Sequence, residues 1–195
     1  MKKYIFATGF LMSITINHKK YKSLITNALL ITEEDILNKI TINVYIGPKN
    51  QYQKIKIKLD RNRRYIQSFS KTEIDAILIE IISKDNVANN KYLIPDYSYK
   101  KGYYIYENTF FYLAGYPEES SDRCISTGKI LSINSNSFSH TLSKTKITNG
   151  SPICNEKCEV IGINTSPDSI NKCGHSGNFI GKIIDYLNEL INNKL

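Results

Sequence analysis

The sequence predicts a mostly β protein that ends in an amphipathic helix, and three observations lead to this prediction. Short runs rich in β-branched and aromatic residues recur along the chain, with turn-forming residues between them. In residues 53–59, Lys alternates with Ile and Leu, which is the period-two pattern of a strand with one solvent-facing side. Near the C-terminus, the apolar residues recur instead at helical spacing.

The composition is that of a folded chain with a moderate basic excess. The 195 residues are 41% hydrophobic and 11% aromatic, which is enough for a packed core in one domain. The net charge is +8, and part of it comes from the lysines at 53–59 and from Arg61, Arg63 and Arg64. A basic stripe can contact phosphate backbones, but no nucleic-acid-binding module is recognisable, so we expect solvated faces and no nucleic-acid partner.

Residues 1–16 allow two interpretations. Met1, Lys2 and Lys3 precede an apolar run, as they do in a signal peptide. Because no small-residue cleavage site follows, we expect a first strand and a cytoplasmic protein; a signal peptide would imply secretion. No other run approaches the roughly twenty apolar residues of a membrane span, so we expect no membrane association.

The first half of the chain is predicted to consist of strands and one short helix. The predicted strands cover residues 7–11, 21–28, 40–46, 53–59 and 72–81. The first two form a hairpin whose turn lies at 17–20. Thr32, followed by three acidic residues, is typical of a helix N-cap with a favourable first turn. Gly47 and Pro48 mark the turn between the third and fourth strands.

The second half is predicted to hold another set of strands, after a polar connection at 84–108 that is rich in Tyr and Lys. Its predicted strands cover residues 110–117, 126–133, 138–141 and 159–165. A tight turn at 149–152 precedes the last of these strands. The C-terminal helix carries one apolar face and is expected to dock on its own domain. That face comprises Ile180, Ile183, Ile184, Leu187, Leu190 and Ile191.

Several of these segments together resemble the trypsin-like (chymotrypsin-fold) serine peptidases. In that family a loop reads Gly-x-Ser-Gly-x-Pro and is followed by a hairpin and Val-x-Gly-Ile. Here Gly150, Ser151 and Pro152 fall in place, and Gly162-Ile163 follows. The resemblance implies a single domain of two six-stranded antiparallel β-barrels with a C-terminal α-helix. The N-terminal barrel would cover about residues 1–95, the C-terminal barrel about 105–178 and the helix about 179–193.

The resemblance also locates the three positions of a catalytic triad, of which only one holds the catalytic residue. Asp75 lies in a segment similar to the family's Asp-x-Ala-Leu-Leu and takes the place of the acid. Leu29 occupies the histidine position and Asn149 the position of the nucleophilic serine. Because leucine cannot accept a proton and a carboxamide cannot form an alkoxide, we expect no peptidase activity.

The oxyanion loop is expected to be altered as well. Its positions are Ile147, Thr148 and Gly150, and the family has a glycine where this chain has Ile147. A β-branched residue is strained at positive φ, so the N–H groups of the loop are not expected to converge on a substrate oxygen.

Three functions are compatible with these residues. The first is a pseudoprotease that binds a peptide or protein in the cleft between the barrels. The second is an active serine endopeptidase with an atypical arrangement, in which Ser151 is the nucleophile and His140 or His175 is the base. The third is a basic adaptor for nucleic acid or an acidic surface, which rests on the net charge alone. We expect the first.

The four cysteines are Cys124, Cys154, Cys158 and Cys173. Cys154 and Cys158 bracket a predicted hairpin turn, so their thiols could approach each other, but Cys-x3-Cys without a second ligand pair is a weak metal signal. Cys154 is a further potential nucleophile, although the resemblance places it in the strand after the loop. We therefore expect free thiols, no metal and no cofactor.

Overall fold

Twelve strands and two α-helices are found in the part of the chain that the computed structural model describes, which is residues 7–47, 51–116, 122–142, 149–165 and 175–192. The strands are β1 Phe10–Ile16, β2 Lys19–Thr26, β3 Thr41–Ile46, β4 Gln53–Lys58, β5 Ile66–Ser68, β6 Ile77–Glu80, β7 Phe110–Gly115, β8 Cys124–Ile133, β9 Ser137–His140, β10 Pro152–Cys154, β11 Val160–Thr165 and β12 His175–Phe179. The helices are α1 Glu33–Leu37 and α2 Ile180–Asn192.

The N-terminal half contains six strands that form two sheets around one core. A four-stranded antiparallel sheet has the order β1-β2-β6-β5, and β3 and β4 form a separate two-stranded sheet. Alternation along β4 directs Ile55 and Ile57 inward, where they join Leu24, Ile77 and Ile79 of the larger sheet. The two sheets are therefore held together by side-chain packing and not by a continuous ladder of hydrogen bonds.

The C-terminal half is a closed barrel with the strand order β10-β11-β12-β9-β8-β7. Its interior is filled by large apolar side chains, among them the fully buried Phe111, Phe138 and Ile153. Closure pairs every strand with two neighbours and leaves no free edge. The predicted fold class, all-β with a C-terminal helix, is confirmed.

Helix α2 docks on the core of its own chain, as its apolar face predicts. Ile180, Ile183, Ile184 and Leu187 are all buried and belong to the cluster that also contains the barrel interior and one face of β1. The Tyr99 hydroxyl donates a hydrogen bond to Asp185 Oδ1 at 3.0 Å and ties the helix to the segment between the two halves. No helix within the described ranges combines the length and apolar character needed to cross a membrane.

Local signals in the sequence are reproduced by the structure. The turn between β1 and β2 consists of Asn17 and His18, both at positive φ, a conformation that suits a two-residue hairpin turn. Thr32 caps α1 by accepting a hydrogen bond from the Asp35 N–H, while the Asp35 carboxylate accepts from the Thr32 N–H at 2.8 Å. The apolar run at the N-terminus contributes β1 from Phe10 onward, and residues 1–6 lie outside the described part of the chain.

Three local expectations differ from the structure. The strand expected over 72–81 begins only at Ile77, because Ser70–Thr72 forms a 3-10 turn and Glu73 takes positive φ. The short strand β5 was not expected, since three residues carry no readable alternation. Lys54, Lys56 and Lys58 face solvent as expected, but Arg64 is buried.

Candidate functional site

Asp75 connects three separate segments at the place where the two halves of the protein meet. It lies just before β6, and its Oδ1 accepts hydrogen bonds from the backbone N–H groups of Ala28 at 2.9 Å and Leu29 at 3.3 Å. Its Oδ2 accepts from Asn27 Nδ2 at 2.9 Å. From the other half, the Asn178 Oδ1 atom accepts from the Asp75 N–H at 3.0 Å. The carboxylate therefore fixes the backbone that carries Leu29.

Leu29 follows β2 in a single 3-10 turn, Ala28–Leu30, and its side chain is 78% exposed. Its backbone is held by Asp75, but its side chain projects into solvent and carries no group able to accept a proton. An isobutyl group at this position offers a ligand only an apolar contact.

The loop that contains Asn149 packs against the ends of β1 and β2. Gly150 has φ +89°, and a Cβ there would overlap the Thr8 carbonyl oxygen and lie 2.9 Å from Thr26 Oγ1 and 3.1 Å from Asn27 Oδ1. Only glycine fits both that conformation and that space. Because Asn27 also bonds Asp75, the segments bearing Leu29, Asp75 and Asn149 converge on one region.

The loop is held by backbone bonds to β11. The Gly150 N–H donates to the Asn164 carbonyl oxygen at 2.9 Å, and the Asn164 N–H donates to the Ser151 carbonyl oxygen at 2.8 Å. The Gly150 N–H is thus engaged within the protein and is not directed at a bound oxygen. The other two oxyanion-loop positions, Ile147 and Thr148, lie outside the described residues.

Two residues of the alternative catalytic arrangement, Ser151 and His140, are buried in the core. Ser151 is fully buried, and His140 packs its ring edge-on against Phe111 and tilted against Phe138, with ring centroids 5.1 and 6.1 Å apart. A nucleophile and its base must reach a substrate, and neither of these groups is accessible to one. His175 pairs with His140 across the β9–β12 ladder, and its side chain is outside the described part of the structure.

Three of the four cysteines lie in the described part of the chain. Cys124, Cys154 and Cys158 are free thiols, and Cys173 lies outside the described residues. Burial, with a smaller effect of the nearby Cys158, raises the pKa of the Cys154 thiol to about 12, so the nucleophilic thiolate is scarce at neutral pH. Within the described ranges, no group of three or more His, Cys, Asp or Glu residues is arranged to hold a metal ion.

Buried asparagines near the loop were missed by the sequence interpretation. Asn27, Asn164 and Asn178 are each about 95% buried or more, and they approach the loop or Asp75 from different strands or strand ends. The Oδ1 atoms of Asn27 and Asn164 have no hydrogen-bond partner among the described residues. The signal that could have revealed Asn164 is a polar residue directly after the apolar run at 160–163.

With this geometry defined, the comparison with solved structures identifies the fold. A Glu endopeptidase aligns with a TM-score of 0.60 and 13% identity over 92% of this chain and 90% of its own. A human astrovirus serine protease aligns with a TM-score of 0.50 and 15% identity over 87% and 88% of the two chains. An inactivated protease paralogue of the scabies mite aligns with a TM-score of 0.59 and 9% identity over 94% of both.

The chain therefore has the chymotrypsin fold of the trypsin-like serine proteases. No protein-family model and no curated protein sequence matches it. At 9–15% identity the structural likeness establishes the architecture only, so the roles of Leu29, Asp75 and Asn149 remain predictions from their positions.

The bonds made by Asp75 predict a structural role that can be measured. Asp75→Ala removes the acceptor of two backbone N–H groups and of the Asn27 amide, and we expect it to lower the free energy of unfolding by about 2–3 kcal/mol. Asp75→Asn retains one carbonyl acceptor, so it should lower the free energy of unfolding by less than Asp75→Ala does. Urea unfolding monitored by circular dichroism measures both variants, with Glu189→Ala on the exposed face of α2 as the surface control. A loss no larger than that of the control would refute this role.

Proposed function

We propose that this protein is a non-catalytic relative of the trypsin-like serine proteases that binds a peptide or protein segment in the groove between its two halves. The observation that carries the proposal is the pairing of Asp75 with the backbone of Leu29. In this proposal Asp75 stands for the acid of a triad and Leu29 for its histidine: the carboxylate accepts from the Leu29 N–H, and the Leu29 side chain is exposed and aliphatic. The scaffold of the site is thus kept while the proton acceptor is missing.

The expected loss of turnover is large. In serine proteases, removal of the nucleophile or of the histidine lowers turnover by about a million-fold, and removal of both lowers it little further. Here Leu29 and Asn149 occupy both positions, and the Gly150 N–H is bonded to the Asn164 carbonyl oxygen. The inactivated protease paralogue of the scabies mite is a precedent for the same fold without activity.

The proposed ligand contact centres on Leu29. An exposed leucine at the junction of the two halves offers apolar surface, and burying it under a ligand stabilises a complex by roughly 1.5–3 kcal/mol. The proposed ligand class is a segment of polypeptide, which would bind in extended form by strand addition between the two halves.

Reactivity separates this proposal from the active-enzyme alternative. We expect the wild-type protein to show no labelling by a fluorophosphonate probe and no hydrolysis of a fluorogenic peptide panel. Labelling of any serine near the groove, or hydrolysis abolished by Ser151→Ala, would overturn the proposal. The triple variant Leu29→His, Asn149→Ser, Ile147→Gly restores the family residues and should gain labelling at position 149. The pair Leu29→His, Ile147→Gly without a serine at 149 is its matched control.

Binding is tested with the full chain immobilised against a phage-displayed peptide library. Selected peptides should lose at least ten-fold in affinity for Leu29→Asp, since a carboxylate at that position removes the apolar contact. Leu131→Asp, at an exposed position on β8, is the control and should leave the affinity unchanged. Failure to select any peptide, or equal sensitivity to both substitutions, would argue against the groove as the binding site.

A further inference from the structure

A cavity lies between the N-terminal sheet and helix α2, on strands β1, β2 and β6. Its volume is about 170 Å³. Most of its wall is apolar and comes from residues that are themselves well buried, including Ile14, Leu78 and Leu187. The space is partly open to solvent, since Tyr65 on its rim is exposed, so a small molecule has a path to the apolar residues that line it.

The volume of the cavity sets the size of that molecule. An apolar cavity of about 150 Å³ remains dry when empty and binds a single benzene ring. A space of about 170 Å³ therefore accepts one ring with one or two small substituents. It is too small for an extended peptide or for the acyl chain of a lipid.

One buried polar group in the wall has no partner. Ser23 is only 1% exposed and lines the cavity, and its Oγ makes no hydrogen bond with any described residue. Buried side-chain hydroxyls nearly always have a partner, because leaving one unpaired forfeits the bond it made to water. A ligand that hydrogen-bonds Ser23 would supply the missing partner.

The other polar groups of the wall favour a ligand that donates a hydrogen bond. The Glu80 carboxylate accepts from the Tyr65 N–H at 2.8 Å and has further acceptor capacity. The Tyr65 hydroxyl donates to Gln67 Oε1 at 3.2 Å, so its own oxygen is left to accept. Glu80 is the one carboxylate on this wall, and no described cation lines it, so an anionic ligand would be repelled.

We propose that this cavity is a binding site for a small neutral aromatic alcohol of the phenol class. The ring fills the space bounded by Ile14, Leu78 and Leu187, and the hydroxyl bonds Ser23 and the acceptors beside it. This site lies behind the N-terminal sheet and is independent of the proposed groove at Leu29.

Three probes of nearly equal shape test the proposal on the full chain: p-cresol, toluene and 4-methylbenzoate. Titrations followed by methyl NMR shifts should give the affinity order p-cresol, then toluene, then 4-methylbenzoate, with p-cresol about five-fold tighter than toluene. Nuclear Overhauser contacts from the probe methyl group to Leu78 and Leu187 should place it in the cavity. Equal binding of p-cresol and toluene, tighter binding of the anion, or no binding would overturn the proposal.

Two variants sharpen the result. Ser23→Ala should abolish the preference for p-cresol and leave toluene binding unchanged. Ile191→Trp, at a half-buried lining position near the end of α2, should fill the space and weaken both neutral probes at least ten-fold. A preference that survives Ser23→Ala would contradict the assigned hydrogen bond. If either variant does not fold, the probe order and the contacts in the wild-type protein decide the proposal alone.

Discussion

Gly150→Ala is expected to lower the free energy of unfolding by about 3 kcal/mol or more. Two independent effects add at this position. The residue has φ +89°, which disfavours any side chain, and the new Cβ would overlap the Thr8 carbonyl oxygen. Relief of that overlap requires the loop to move away from Thr26 and Asn27, and with them from the region around Asp75.

Gly47→Ala is the matched control for this substitution. Gly47 also has positive φ, at +110°, but among the described residues its Cβ would approach no atom closer than 3.4 Å, the distance to the Gln51 carbonyl oxygen. The control therefore reports backbone strain alone, and we expect a loss of about 1 kcal/mol. Thermal and urea unfolding of both variants give the comparison. Similar losses would show that the loop does not pack on β1 and β2 as described.

Arg64→Met is expected to destabilise the protein by about 3–5 kcal/mol. Arg64 and Asp85 form a bidentate pair, with distances of 2.8 and 3.1 Å, and both side chains are only 5% exposed. Arg64 also donates to the Glu80 carbonyl oxygen at 2.8 Å. Its removal leaves a buried carboxylate without its counter-charge, and that uncompensated charge accounts for most of the expected loss.

The same chain contains a control that differs in burial. Arg61 makes a bidentate pair with Glu33 at 2.8 and 2.9 Å, but the two side chains are 45% and 55% exposed. Arg61→Met should therefore lower the free energy of unfolding by no more than about 1 kcal/mol. The double variant Arg64→Met, Asp85→Leu should recover much of the single-variant loss. Urea unfolding measures these variants. Equal losses of unfolding free energy for Arg64→Met and Arg61→Met would contradict the burial of the Arg64–Asp85 pair.

The bonds of Asp75 show that an aspartate at this place in the fold has a structural use of its own. In an active enzyme the acid orients a histidine, and its presence here suggests at first a remnant of catalysis. The structure gives the carboxylate other partners, namely the backbone of Ala28 and Leu29 and the amide of Asn27. These bonds stabilise the fold whether or not a histidine is present, so Asp75 by itself does not indicate an active enzyme.

Features set by neighbouring residues were readable from the sequence. The Asn17-His18 turn, the Thr32 cap and the amphipathic face of α2 all arise from interactions within a few positions along the chain. The alternation in β4 likewise predicted which side faces the core. Such features can be predicted from a single sequence because the residues that interact are close together along the chain.

The burial of individual polar groups was decided by tertiary contacts alone. In the sequence, Arg61, Arg63 and Arg64 form one basic cluster, and no pattern distinguishes one from another. The fold buries only Arg64 of the three, beside Asp85. From the sequence alone, His140 was as good a candidate base as an exposed histidine. In the structure its ring packs against the rings of Phe111 and Phe138 inside the barrel.

The sequence by itself therefore determined the fold class, the turns and the absence of a histidine at position 29 and of a serine at 149. The tertiary structure decided the contact of Gly150 with Thr8, the engagement of the Gly150 N–H by Asn164 and the unpaired Ser23 beside a cavity. The physical reason is the range of the interactions. Turn and strand preferences depend on adjacent residues, whereas space, burial and hydrogen-bond partners depend on segments that only folding brings together.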